Sequence, residues 1–205
     1  MARQTTYRYF AIHKPYGVLS QFTREHPAHS VLGDLYPFPN DVYPIGRLDR
    51  DSEGLLLLTN NPKINALLLS PSRGHQRTYW VQVEGAPTAE ALRQLREGVD
   101  IRAKKRSFRT LPAQVRIIAP RPEVPDRDPP VRYRANIPDT WAEIKLTEGK
   151  NRQVRRMWAS VGFPVLRLIR ASIAGLSISP TDTPGSVREL TEEAFLKALK
   201  INRSW

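Results

Sequence analysis

The 205-residue chain contains no cysteine. Disulfides, thiolate metal sites and cysteine nucleophiles are therefore excluded. Histidine is almost as scarce. His13, His26, His29 and His75 stand in no HxxxH or HExxH spacing, so no metal site is expected. There is neither a GxxxxGK[ST] nor a GxGxxG segment to cradle a nucleotide phosphate. No apolar run approaches 18 residues, which argues against a membrane-spanning helix. The segment Met1–Thr6 lacks the apolar centre of a secretory signal, and with the missing cysteines this points to the cytoplasm.

Negative charge is also in short supply. Lys and Arg number 32 against 20 Asp and Glu, a net charge of +12. Arg outnumbers Lys 24 to 8, which favours forked contacts to phosphate and stacking on bases. The surplus is localised. Residues 102–134 hold ten Lys/Arg and three Asp/Glu, and residues 145–170 hold seven Lys/Arg and only Glu148. The remaining 146 residues carry a net −1. Two basic surfaces on a near-neutral body point to a polyanionic partner, with nucleic acid the first candidate.

Local patterns imply an α+β fold with a largely antiparallel sheet. Strands are expected at Tyr7–His13, Val18–Phe22, Val42–Ile45, the buried run Leu55–Thr59, Thr78–Glu84, Trp141–Leu146, Val165–Ile169 and Ser172–Ile178. Asn61 followed by Pro62 starts a helix with Ile64, Leu67 and Leu68 on its apolar face. Thr88 caps a second helix through Glu97, with Gly98 at its end. Asn151 is expected to cap a third, with the stripe Val154, Met157, Trp158 and Val161. Thr191-Glu192-Glu193 opens the last. Residues 119–134 contain five of the 18 prolines and no periodicity, and read as a long loop or insertion.

Two segments concentrate charge. Gly46-Arg47-Leu48-Asp49-Arg50-Asp51-Ser52-Glu53-Gly54 is either a solvated loop of local ion pairs or a carboxylate held at a strand edge by arginines. Glu148-Gly149-Lys150-Asn151-Arg152-Gln153-Val154-Arg155-Arg156-Met157 reads as a turn and an amphipathic helix. On the wheel, Arg152 and Arg156 oppose the apolar stripe and suit phosphate. Arg155 lies on the flank, within reach of a partly buried carboxylate.

Taken together, these segments resemble the signature motifs of the ribosomal RNA pseudouridine synthases. Gly46–Asp49 with Gly54–Asn60 resembles the catalytic motif, Lys14-Pro15-Tyr16-Gly17 the first, and Glu148–Met157 the third. The resemblance runs from about Tyr9 to Leu190. It implies the pseudouridine synthase catalytic fold, with two subdomains around a central cleft. Residues 1–205 would form a single catalytic domain without an amino-terminal S4-type RNA-binding domain.

The implied reaction is a cofactor-independent isomerisation of uridine, on large-subunit ribosomal RNA, by a monomeric enzyme. The base leaves C1′, rotates and rejoins through C5. By the same resemblance Asp49 is the essential carboxylate, acting either at C1′ or on the C2′ proton. Arg155 is its cationic partner, Tyr79 stacks on the target base, and Arg47 fills the space left by the flipped uridine. Arg77 stands where the family usually has Lys. Further RNA-binding cations are expected at Lys14, Arg50, Arg77, Lys150, Arg152, Arg156, Arg167 and Arg170. Arg121, Arg127, Arg132 and Arg134 of the proline-rich segment are expected to form an RNA-docking arm. The alternatives are the same chemistry on small-subunit rRNA or tRNA, or a non-catalytic RNA-binding or ribosome-assembly protein.

Overall fold

A computed structural model describes residues 6–70, 74–103, 106–132, 134 and 137–202. Residues 1–5, Lys104 and Lys105 of the first basic segment, and Tyr133 of the proline-rich segment lie outside them. In chain order the elements are β1 (Tyr9–Lys14), β2 (Val18–Leu19), β3 (Ser30–Val31), a 3-10 turn (Leu32–Asp34), β4 (Tyr43–Pro44), β5 (Glu53–Thr59) and α1 (Pro62–Leu69). There follow β6 (Arg77–Glu84), α2 (Ala89–Glu97), β7 (Asp100–Ala103), β8 (Arg106–Arg109), β9 (Gln114–Ile117), β10 (Asp139–Leu146), α3 (Gln153–Ser160) and β11 (Val165–Ile173). β12 (Leu176–Ser177), β13 (Val187–Leu190) and α4 (Glu192–Ala198) complete the α+β set. The chain divides into two compact units, residues 1–73 with 172–205, and residues 74–171.

In the first unit β1 lies between β13 and β5, antiparallel to both, and β4 adds to β5. β5 is buried along its whole length. An unbroken Leu55–Leu58 run, in place of alternation, is what a strand covered on both faces requires. Leu56 and Leu58 pack with Phe10, Ile12, Val18, Leu32, Val42 and Leu48. Burying each leucine contributes about 1.5–3 kcal/mol relative to leaving it in water. The helix starts follow their sequence signals. Asn61 accepts from the Lys63 amide with Pro62 in the first turn, and Thr191 accepts from the Ala194 amide.

In the second unit β6 pairs antiparallel with β10, and β10 with β9. Val81, Val83, Ile144, Met157 and Trp158 lie at the heart of its core, with Tyr79, Phe108 and Phe163 packed against it. Thr88 caps α2 through the Ala91 amide, as its sequence implies.

Two expectations are corrected, and one stretch for which none was made is structured. Residues 100–117 contain three four-residue strands that their sequence does not announce, since each sends one apolar side chain, Ile101, Phe108 or Val115, into the core. Val165–Ile169 and Ser172–Ile178 are not separate strands; β11 continues to Ile173, and the turn at Ala174 (φ 49°) leads into β12. The third helix is not capped by Asn151. Arg152, in the left-handed region at φ 51°, holds the cap position without a side-chain cap bond. The proline-rich segment does lack regular structure across its described residues.

Candidate active site

Asp49 lies in the loop between β4 and β5, and its neighbours are fixed on both sides. The Leu48 amide donates to Ser20 Oγ (3.1 Å), and the Ser20 hydroxyl donates to the Leu48 carbonyl (2.8 Å). The Gly17 amide donates to the Arg50 carbonyl (2.8 Å), and Arg50 Nε donates to the Gly17 carbonyl (3.1 Å). The Ser52 amide donates to the carbonyl of Asp49 itself (3.0 Å). Two segments 28 to 33 residues apart in sequence thus stitch together around one half-buried carboxylate. Gly17 closes its turn at φ +83°, a conformation that favours glycine. Gly46 opens the Asp49 loop at φ +68°, where a Cβ would also stand 3.0 Å from Leu69.

Lys14 is fully buried, and its Nζ donates to the Pro15 and Val18 carbonyls (2.9 and 2.7 Å). In this structure it braces the first-motif turn. Arg47 and Arg50 are exposed.

Tyr79, on β6, is half-buried against the core of the second unit. Its phenol hydrogen-bonds the Arg170 guanidinium of β11. Arg170 is buried. Desolvation pushes its pKa below the ordinary arginine value, Tyr79 counters that shift, and nearby Arg77 adds to it. Arg77 also donates to the His75 carbonyl (3.4 Å), and its Nη1 lies 3.9 Å from the position a Cβ would take on Gly149. Tyr79, Arg77, Arg170 and the start of the third motif therefore form one cluster. Sequence distance hides the Tyr79–Arg170 pair, which only the pairing of β6 beside β11 creates.

The third motif is organised by Glu148 and Gln153. Glu148 accepts from the Leu111 amide (2.8 Å), Gln153 Nε2 (2.6 Å) and Lys150 Nζ (2.7 Å). Gln153 Oε1 accepts from the Lys150 amide (2.9 Å), and the Gln153 amide donates to the Lys150 carbonyl (3.1 Å). This reciprocal clasp replaces the Asn151 cap and brings the chain into α3 through the left-handed Arg152. Such a conformation costs a non-glycine residue about 1–2 kcal/mol. Arg152 is exposed and precedes the helix, so the wheel does not apply to it.

Arg155 is half-buried on the helix flank, as the wheel implies, with Nη1 donating to the Val165 carbonyl (3.1 Å). Arg156 donates to Asn151 Oδ1 (2.9 Å). Arg167 is buried, with its guanidinium 6.0 Å from the Trp141 ring centroid. Lys14, Arg167 and Arg170 thus sit in the interior, away from any surface phosphate. Their charge in sequence carries no sign of that burial.

Burial opposes ionisation of Glu148. Its bonds from Lys150, the Leu111 amide and Gln153 outweigh that and hold its carboxyl below the ordinary glutamate value of 4.5. Glu143 behaves alike, with burial countered by Arg116 and Lys145. A folded-state pKa below the unfolded one means that the unfolded chain binds more protons. Stability is then full above the unfolded value and lost as pH falls through the folded one. Denaturant midpoints are expected to decline from about pH 4.5 downward. Glu148→Gln is expected to flatten that decline, and an unchanged pH slope in the variant would contradict the role given to Glu148.

Comparison with known proteins agrees with these motifs. Residues 8–160 match the family model described as RNA pseudouridylate synthase. The ribosomal large subunit pseudouridine synthase E of Xanthomonas axonopodis pv. citri is 52% identical over 163 residues, covering 79% of this chain and 83% of that protein. The protein of the same name from Vibrio vulnificus is 49% identical over 178 residues, covering 87% and 73%. The crystal structure of a pseudouridylate synthase superposes with a TM-score of 0.76 at 24% identity, over 94% of this chain and 74% of that one, which shows the fold. The chain belongs to the RNA pseudouridylate synthase family.

Proposed function

We propose that the chain converts a uridine of large-subunit ribosomal RNA to pseudouridine, as a cytoplasmic monomer and without a metal or organic cofactor. The observation that carries the reaction is the double stitching of the Asp49 loop, which fixes one carboxylate within the family's catalytic motif. The substrate reading is supported by the two relatives named for the large subunit.

In this reading Asp49 initiates cleavage of the C1′–N1 bond. The freed uracil rotates, C1′ bonds to C5, the C5 proton leaves to solvent, and N1 ends protonated. Tyr79 is the platform for the extruded base, and Arg155 is the cation that the family resemblance pairs with that carboxylate. Arg47 occupies the gap in the stack. Extrusion is required because a stacked, paired base hides its glycosidic bond, and unstacking costs a few kcal/mol.

Release of tritium from RNA labelled at uridine C5 tests the reaction, since a protein that only binds RNA releases none. Pseudouridine mapping of total RNA from a deletion strain, with and without the gene restored, tests the substrate. The expected result is one or more large-subunit positions that vanish and return. Positions in small-subunit rRNA or tRNA instead would replace the substrate reading. Activity on a small, pre-folded RNA is expected to survive dialysis against chelator, and a persistent divalent-ion requirement there would contradict the cofactor-free reading.

A further inference from the structure

The first basic stretch is uneven. Residues 102–118 hold six Lys/Arg and no acid, whereas residues 119–134 hold four Lys/Arg and three acids. The structure widens that contrast. Arg121 pairs with Asp126 (3.4 Å), and Arg134 with Glu84 (3.2 Å). Arg127 is spent on the Pro129, Pro130 and Leu166 carbonyls (2.7, 3.0 and 3.4 Å). The proline-rich segment thus uses much of its charge on itself and its surroundings.

The β7–β8 hairpin does the opposite. Its root is pinned, with the Thr110 amide donating to the Val99 carbonyl (2.9 Å) and the Val99 amide to Thr110 Oγ1 (2.9 Å). Ile101 and Phe108 pair in register and pack into the core of their unit. The acid Asp100 is taken by Arg109 at that root (3.3 Å). Farther out, Arg102 and Arg106 are exposed on opposite faces, opposite Ser107 and Ala103 in register. Arg106 shares the face of Phe108, whose ring centroid lies 4.3 Å from Lys150 Nζ of the third motif. Cations therefore stand on both faces of a hairpin pinned at its root, Arg106 on the side of the third motif and Arg102 on the reverse.

We propose that the β7–β8 hairpin is a docking surface for the phosphate backbone of the RNA substrate, with Arg102 and Arg106 as its contacts. The proposal rests on the RNA reading above and locates the sequence-independent part of that binding. An RNA backbone fits because it offers closely spaced anions to cations on either face of a narrow ribbon, with no pocket required for a base.

Each phosphate neutralised adds about 0.7 units (single strand) to 0.9 units (duplex) to the slope of log affinity against log salt. Arg102→Gln with Arg106→Gln is expected to weaken binding of an rRNA fragment and lower that slope by about 1.4 to 1.8 units. Arg102→Lys with Arg106→Lys is expected to restore the slope, because a point charge suffices for a phosphate. Circular dichroism and thermal unfolding matching wild type establish that the Gln variant is folded. A slope unchanged in the folded Gln variant would overturn the proposal. If retention on polyglutamate fell in that same variant, the partner would be an acidic protein instead. A slope that Lys fails to restore would also overturn it. Tritium release by the wild-type protein is run alongside. Its absence defeats the enzymatic reading, whereas release with an unchanged slope defeats only the hairpin.

Discussion

Asp49→Asn is expected to bind RNA as the native protein does and to lose at least a hundredfold in single-turnover rate. The bonds that run through Ser20, Arg50 Nε and the Leu48, Gly17 and Ser52 amides are retained in the variant, and circular dichroism and thermal unfolding establish that it is folded. The amide matches the carboxylate in shape but carries no charge. Attack at C1′ needs an anionic oxygen, and so does removal of the C2′ proton, so either route fails for the same reason. A hundredfold loss corresponds to about 2.7 kcal/mol of barrier. The measurement is tritium release at saturating RNA, with affinity taken separately from a binding curve. A residual rate above about one hundredth of wild type would remove Asp49 from the chemistry.

The sequence displays this loop well and its surroundings less well. Asn61-Pro62, Thr88 and Thr191 mark helix starts because capping is a local interaction, complete within three residues. The Leu55–Leu58 run marks a buried strand for an equally local reason. β7, β8 and β9 escape notice because each is four residues long and defined by what it pairs with. Arg152 escapes because its left-handed backbone is held by the Lys150–Gln153 clasp, a contact that a capping signal at Asn151 masks. The arginines are the sharper case. Counting Lys14, Arg167 and Arg170 with the basic surface treats charge as exposure, yet long side chains bury readily once carbonyls or rings receive them. Exposed cations remain on the hairpin and the third-motif turn, at Arg102, Arg106, Lys150 and Arg152.

Tyr79→Ala is expected to cost about 1–3 kcal/mol of RNA affinity, the usual contribution of one base stacked on one ring. That is roughly a five- to 150-fold rise in Kd. Tyr79→Phe separates the ring from its hydroxyl. The ring stays packed against the core of its unit, so affinity should stay near wild type. The phenol oxygen, however, faces the buried Arg170 guanidinium. Its removal takes a hydrogen-bond partner from a desolvated charge, a loss of about 1–3 kcal/mol. The Phe variant should therefore unfold at lower denaturant while binding RNA normally. Its turnover then assigns the hydroxyl. A rate near wild type means that the hydroxyl serves to anchor the ring, and a slow rate at normal affinity means that the Tyr79–Arg170 bond acts in the chemistry. Normal affinity and normal turnover in the Ala variant would take Tyr79 out of the site, since no other property of an aromatic platform survives that truncation.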